Sequence, residues 1–107
     1  MDDINFEVAK KERRERIRWF ILRALDVSRP DGSHLPTVVD VIRTVYRDAT
    51  DLEVKRELDY LAERDLLELK VDSIGGWYAK LERYGVDVVE YAVDCEPGIA
   101  RPKFGHN

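Results

Sequence analysis

Residues 50–91 read TDLEVKRELDYLAERDLLELKVDSIGGWYAKLERYGVDVVEY, and the change of apolar period along them decides the fold. Val54, Leu58, Leu61 and Ala62 recur at intervals of three and four, which puts one apolar face on a helix, and Thr50 stands where a side-chain oxygen caps free amides. From Leu66 the period drops to two: Leu67, Leu69 and Val71 alternate with Glu68, Lys70 and Asp72, as in a half-buried strand. Ser73, Ile74, Gly75 and Gly76 supply a turn, and Trp77-Tyr78-Ala79-Lys80-Leu81 is the returning strand of a hairpin. Val86, Val89 and Val93 follow Gly85 at helical spacing and predict a short closing helix.

Helix, strand, hairpin turn, strand and helix in that order form the second half of a winged helix-turn-helix, an α+β fold. The upstream chain supplies the first half. A long helix is expected from about Val8 to Val27, with Ile17, Phe20, Ile21 and Ala24 in one stripe. Arg29-Pro30-Asp31-Gly32 has turn chemistry, and Ser33-His34-Leu35 can pair as a short third strand beside the wing. Pro36 is suited to a helix start, and Val38, Val41, Ile42 and Val45 give a second helix, with Thr37 and Asp40 spaced like a capping box. The tight link from Arg47 to Thr50 is what a helix-turn-helix requires. Residues 1–94 then form the winged-helix domain. Residues 95–107, interrupted by Pro97, Gly98 and Pro102, form an extended tail on the domain or on a partner.

Trp19 and Leu22 lie at 100° per residue roughly opposite the Ile17-Phe20-Ala24 stripe, so the first helix is apolar on two sides. Either the tail or a second copy of the chain must cover them. The second possibility makes Trp19 and Leu22 self-association residues of a homodimer.

The 107 residues allow one small core, and a composition of 44% hydrophobic and 37% charged residues is that of a folded domain. No apolar run is long enough to span a bilayer. The start lacks the basic and apolar regions of a secretory signal, and Cys95 is a lone thiol; a cytoplasmic protein is expected. His34 and His106 belong to no metal-ligand spacing, and no nucleophile motif or phosphate loop is present, so no catalytic residue, metal or cofactor is assigned.

Charge divides two readings. Lys10 to Arg23 holds seven basic and two acidic residues, a phosphate-contacting arm or a solvated helix face. Asp51 to Asp65 holds six acidic and three basic residues, and the whole chain carries −4, which opposes non-specific attachment to DNA. A specific double-stranded DNA contact would draw on Lys55, Arg56 and Tyr60 along the third helix, on Lys70 and Lys80 of the wing, and on the Lys10 to Arg18 arm. The alternative is a protein-interaction or assembly module built on the same scaffold.

The run from Gly75 to Glu90, GGWYAKLERYGVDVVE, followed by Pro97-Gly98-Ile99-Ala100-Arg101-Pro102, resembles a family of small winged-helix proteins encoded by Mu-like phages and prophages. The match extends back through Thr50 to Leu69 and the basic start of the first helix, and the Pro-Gly-Ile-Ala-Arg-Pro tail is its most specific part. The junction after the wing is also similar to that of bacterial winged-helix regulators, which read Leu-Thr-x-x-Gly; Leu81 and Gly85 match, and Glu82 stands in place of the Thr. The resemblance implies a phage or bacterial cytoplasmic protein related to nucleic-acid-binding folds. It brings no established activity and no catalytic residues.

Overall fold

A computed structural model describes residues 3–103. The elements run α1 (Asp3–Val27), β1 (Ser33–His34), α2 (Leu35–Arg43), α3 (Asp51–Glu63), β2 (Leu67–Val71), β3 (Trp77–Leu81) and α4 (Arg83–Val89). The three strands form one antiparallel sheet in the order β1-β3-β2, with Ser33 opposite Ala79 and Leu67 opposite Leu81. This is a helix-turn-helix with a wing, and the short strand at Ser33–His34 is formed as expected.

Local chemistry sets most of the boundaries. The Thr50 hydroxyl accepts the Glu53 amide at 3.1 Å and starts α3. At the other end of α3 the Leu66 amide donates to the Leu61 carbonyl (3.0 Å) and the Asp65 amide to Ala62 (3.1 Å), a Schellman closure. Asp65 holds the left-handed position (φ 65°) that glycine usually takes there, so β2 follows with only a three-residue break. In the wing turn only Gly75 has positive φ, at 87°, while the Asp72 carboxylate accepts the amides of Ile74 (3.0 Å) and Gly76 (2.7 Å).

Three boundaries differ from expectation. α1 begins at Asp3, five residues before Val8, because nothing in Asn5-Phe6-Glu7 breaks a helix and Lys10 supports the extra turn from Glu7 (3.8 Å) and the Phe6 ring (4.5 Å). α2 begins at Leu35, with His34 at its cap, so Thr37 lies inside the first turn and the Thr37–Asp40 capping box is not formed; pairing of β1 with β3 sets the start instead. α4 begins at Arg83 and contains Gly85, where a Cβ would strike the Leu66 carbonyl, and it ends at Val89, leaving Val93 outside the helix. Val88 is its fully buried residue.

The core gathers Ile17, Ile21 and Leu25 of α1, Val38 and Ile42 of α2, Val54, Leu58 and Leu61 of α3, and Leu67, Ala79 and Leu81 from the inner sheet face. Trp19 and Leu22 are also buried, at 4% and 0% exposure. The expectation that they would be open to a second copy is therefore corrected: α1 is covered on that side by its own chain. The Trp19 ring meets Tyr91 edge-on at 6.2 Å between centroids, and it borders a cleft shared with Ala100 and Pro102 of the tail. Conversely Phe20 and Ala24, expected in the core stripe, are only half-buried.

The tail folds back along α1, α3 and α4. The Ala100 amide donates to Glu15 (3.1 Å), the Arg101 guanidinium donates to the carbonyls of Val88 and Val93 (both 2.9 Å), and Tyr91 donates to Pro102 (2.7 Å). Ile99 is 5% exposed and joins the core cluster. Gly98 fits only without a Cβ, which would meet the Tyr60 hydroxyl. Ile99→Ala is expected to lower the unfolding free energy by about 2 kcal/mol, the low end for a buried aliphatic because a terminal segment can shift. Urea denaturation checks this, and a change within about 0.5 kcal/mol would mean that the tail adds nothing to the fold.

Candidate nucleic-acid interface

α3 lies between α1 on one side and the wing on the other, so its character depends on what each neighbour does to its charges. On the α1 side, Arg13 grips Glu53 with two bonds (Nε to Oε2 2.7 Å, Nη2 to Oε1 2.8 Å) and reaches Asp48 at 3.0 Å. Arg18 donates through Nε to Glu57 at 2.7 Å. Those pairs offset two of the six acidic charges counted along residues 51–65, and Arg13 shares its single charge between Glu53 and Asp48 just before them. Hydrogen bonding to Glu53 holds the Arg13 guanidinium well above its ordinary pKa, and Arg13 in turn draws the Asp48 carboxyl below its own.

Beside these pairs a cleft of about 270 Å³ opens between α1 and α3, bordered by Lys10, Arg14 and Arg56. Arg14 and Arg56 are exposed and make no ion pair among the described residues. Lys55 faces the other way, its Nζ 5.1 Å from the centre of the Trp77 ring on the wing. The outward side of α3 carries Leu52, Arg56, Asp59 and Glu63, all exposed. Arg56 is thus the one cation of that stripe, and it continues into the basic border formed by α1.

Tyr60 does not share this exposed side. Its ring is held between the guanidinium groups of Arg18 and Arg64, each 3.5 Å from the centroid, and its hydroxyl donates to Glu96 at 3.2 Å. Burial raises the Tyr60 pKa above the ordinary phenol value, so the hydroxyl is protonated and donates. The tail has taken this residue for packing. Lys70 and Lys80 are exposed, but the sheet register puts them on the face away from α3: Lys80 stands opposite Glu68 and Lys70 opposite Tyr78, whereas Leu67, Ala79 and Leu81 point inward. The residues expected to converge are therefore divided: Arg56 borders the α1 cleft, Lys55 lies against Trp77 of the wing, and Lys70 and Lys80 stand on the sheet face away from α3.

The contribution of α1 was the part that sequence reasoning missed in detail. A basic arm was legible, but not that Arg13 and Arg18 are engaged with acids 40 and 39 residues away, while Lys10 pairs locally with Glu7 and Arg14 stays open. His34 packs its ring 5.1 Å from Tyr78, and His106 lies outside the described residues. Among the described residues no group of three His, Cys, Asp or Glu side chains is placed to hold a metal ion. No described helix is long and apolar enough to cross a membrane.

A solved structure of Bordetella bronchiseptica BpsR, described as bearing on the regulation of its DNA binding by 6-hydroxynicotinic acid, is similar in fold with a TM-score of 0.58. The likeness covers 72% of this chain and 51% of the BpsR chain, about half its length, at 22% sequence identity. At that identity it concerns the fold alone. Neither a family model nor a curated protein sequence matches the chain.

The Arg18–Glu57 pair sits with side-chain exposures of 11% and 6%, so removing one partner strands a buried charge. Arg18→Met is expected to cost about 3 kcal/mol, and adding Glu57→Leu should recover the part due to the unpaired carboxylate, while the Gly98 and Tyr60 contacts stay lost. Equal instability of single and double variants in urea denaturation would contradict this. Burial also pushes the Cys95 thiol above its ordinary pKa. The neutral thiol is the form that the fold prefers, so its contribution is complete below the unfolded-state pKa and is lost as pH rises through the raised folded-state value. Native Cys95 should accordingly react with iodoacetamide at pH 8 more slowly than free glutathione; faster reaction would mark an activated thiol.

Proposed function

We propose that the protein is a non-enzymatic, DNA-binding transcription regulator that offers α3 to the major groove of double-stranded DNA with the α1 arm along one flank. The observation that carries the proposal is the neutralisation of Glu53 and Glu57 by Arg13 and Arg18. It removes the acids on the α1 side of α3 and leaves Lys10, Arg14 and Arg56 around one cleft, where a phosphate finds converging donors. Lys55 serves the wing side. The fold likeness to BpsR, itself described as binding DNA, supports the class of function and not the sequence read. A phage or prophage setting in a bacterial cytoplasm belongs to the same proposal and rests on the Pro97 to Pro102 motif.

A second reading has its own observation. Leu52 is 57% exposed on α3 and Asp51, Asp59 and Glu63 are exposed with it, a surface that suits a basic protein partner better than phosphate. Fluorescence anisotropy with mixed-sequence duplex DNA over a salt series separates the two. Under the DNA reading the wild-type protein binds at low salt, and Arg14→Ala and Arg56→Ala each flatten the log-log salt slope by about 0.9, one phosphate apiece. No binding at low salt, with both variants indistinguishable from wild type, would leave α3 as a protein-docking surface.

A further inference from the structure

Between the carboxy-terminal half of α1 and the outer side of α2 lies an open cleft of about 450 Å³. Phe20 and Ala24 wall it from α1, Val41 from α2 and Val45 from the turn just past the end of α2, with Val41 and Val45 37% and 47% exposed. Val27 stands at the rim with 84% of its surface in solvent. Apolar surface of this kind, concave and shared by two helices, gains by burying hydrocarbon, and the volume lies in the range of small-ligand sites, roughly 300–1,000 Å³.

The polar part of the cleft decides what it takes. Arg23 is the one ionisable residue that lines it, no acid does, and Arg23 makes no ion pair or hydrogen bond among the described residues. Thr37 is on the same lining, with Ser28, Ser33 and Thr44. An open guanidinium beside hydrocarbon selects an anion with an apolar body, and its planar fork matches a carboxylate. A second copy of this chain fits less well, because a two-fold contact sets the same patch against itself and would place Arg23 opposite a surface without an acid.

We propose that this cleft binds a small amphipathic carboxylate, its ring or chain against Phe20, Val41 and Val45 and its carboxylate on Arg23. The site is separate from the α1–α3 border and does not depend on DNA binding. The test titrates 2-naphthoate into the full chain and follows backbone amide shifts by NMR. The expected result is saturable binding with shifts gathered at Ala24–Ser28 and Val41–Val45. Arg23→Gln, at an exposed position that the core does not use, should weaken 2-naphthoate roughly fivefold, the scale of a partly exposed bidentate pair. The neutral 2-naphthalenemethanol should bind the wild type more weakly and be indifferent to Arg23→Gln. Three results would overturn the proposal: no saturable shifts at millimolar ligand, equal affinity in Arg23→Gln, or shifts of these same amides on raising protein concentration alone with a doubling of solution mass. The last would assign the cleft to a second copy.

Discussion

Arg18 connects three parts of the chain that are far apart in sequence. Its Nε holds Glu57 of α3, its Nη1 donates to the Gly98 carbonyl of the tail at 2.8 Å, and its plane lies on the Tyr60 ring. Glu57 is the one charged or polar residue counted as fully buried among those described, at 4% exposure, and it is satisfied only because Arg18 reaches it. Fixing Arg18 fixes the height of α3 along α1. It also sets the seat of the tail, since Gly98, Ile99 and Ala100 are placed by Arg18, the core and Glu15 in succession. Glu96 completes the arrangement from the tail side through Tyr60 and through Arg64 at 3.2 Å.

The same register gives α3 its electrostatic character. With Arg18 on Glu57, Arg13 falls one turn and a half earlier on Glu53, and it stacks over Tyr46 at 4.7 Å as it does so. An acidic helix is thereby divided lengthwise. Its α1 side is neutralised and bordered by open cations, while its outward side keeps Asp59 and Glu63 in solvent. Acidic residues at such a place weaken attachment to arbitrary DNA more than attachment to a site with well-placed donors, because the long-range term falls with the net charge while a close phosphate contact is local.

The architecture was legible because each element announces itself over a few residues. The apolar period changes from three-to-four to two at Leu66, Thr50 has the chemistry of a cap, and the Gly75-Gly76 pair sits between two alternating runs. What was hidden is whatever depends on distant chain. The wheel of α1 shows two apolar sides, but only the docking of Tyr91 and the tail decides that Trp19 and Leu22 are the covered ones and that Phe20 and Ala24 line an open cleft. Tyr60 looks like an exposed helix residue until Gly98 and Glu96 close over it. The Thr37–Asp40 box failed for a related reason, since pairing of β1 with β3 moves the cap of α2 three residues earlier, from Thr37 to His34. For the candidate interface, the residue types could be read and their partition could not: pairs such as Arg13–Glu53 span 40 residues of sequence, beyond any local pattern.

The central claim is that arginines of α1 make α3 competent for phosphate by silencing its acids. A double-mutant cycle on Arg13 and Glu53, read as affinity for duplex DNA at fixed low salt, tests it most directly. Arg13→Ala should weaken binding by unmasking Glu53, and adding Glu53→Gln should restore most of what was lost. Arg13→Ala with unchanged affinity, or a loss that Glu53→Gln does not relieve, would contradict it.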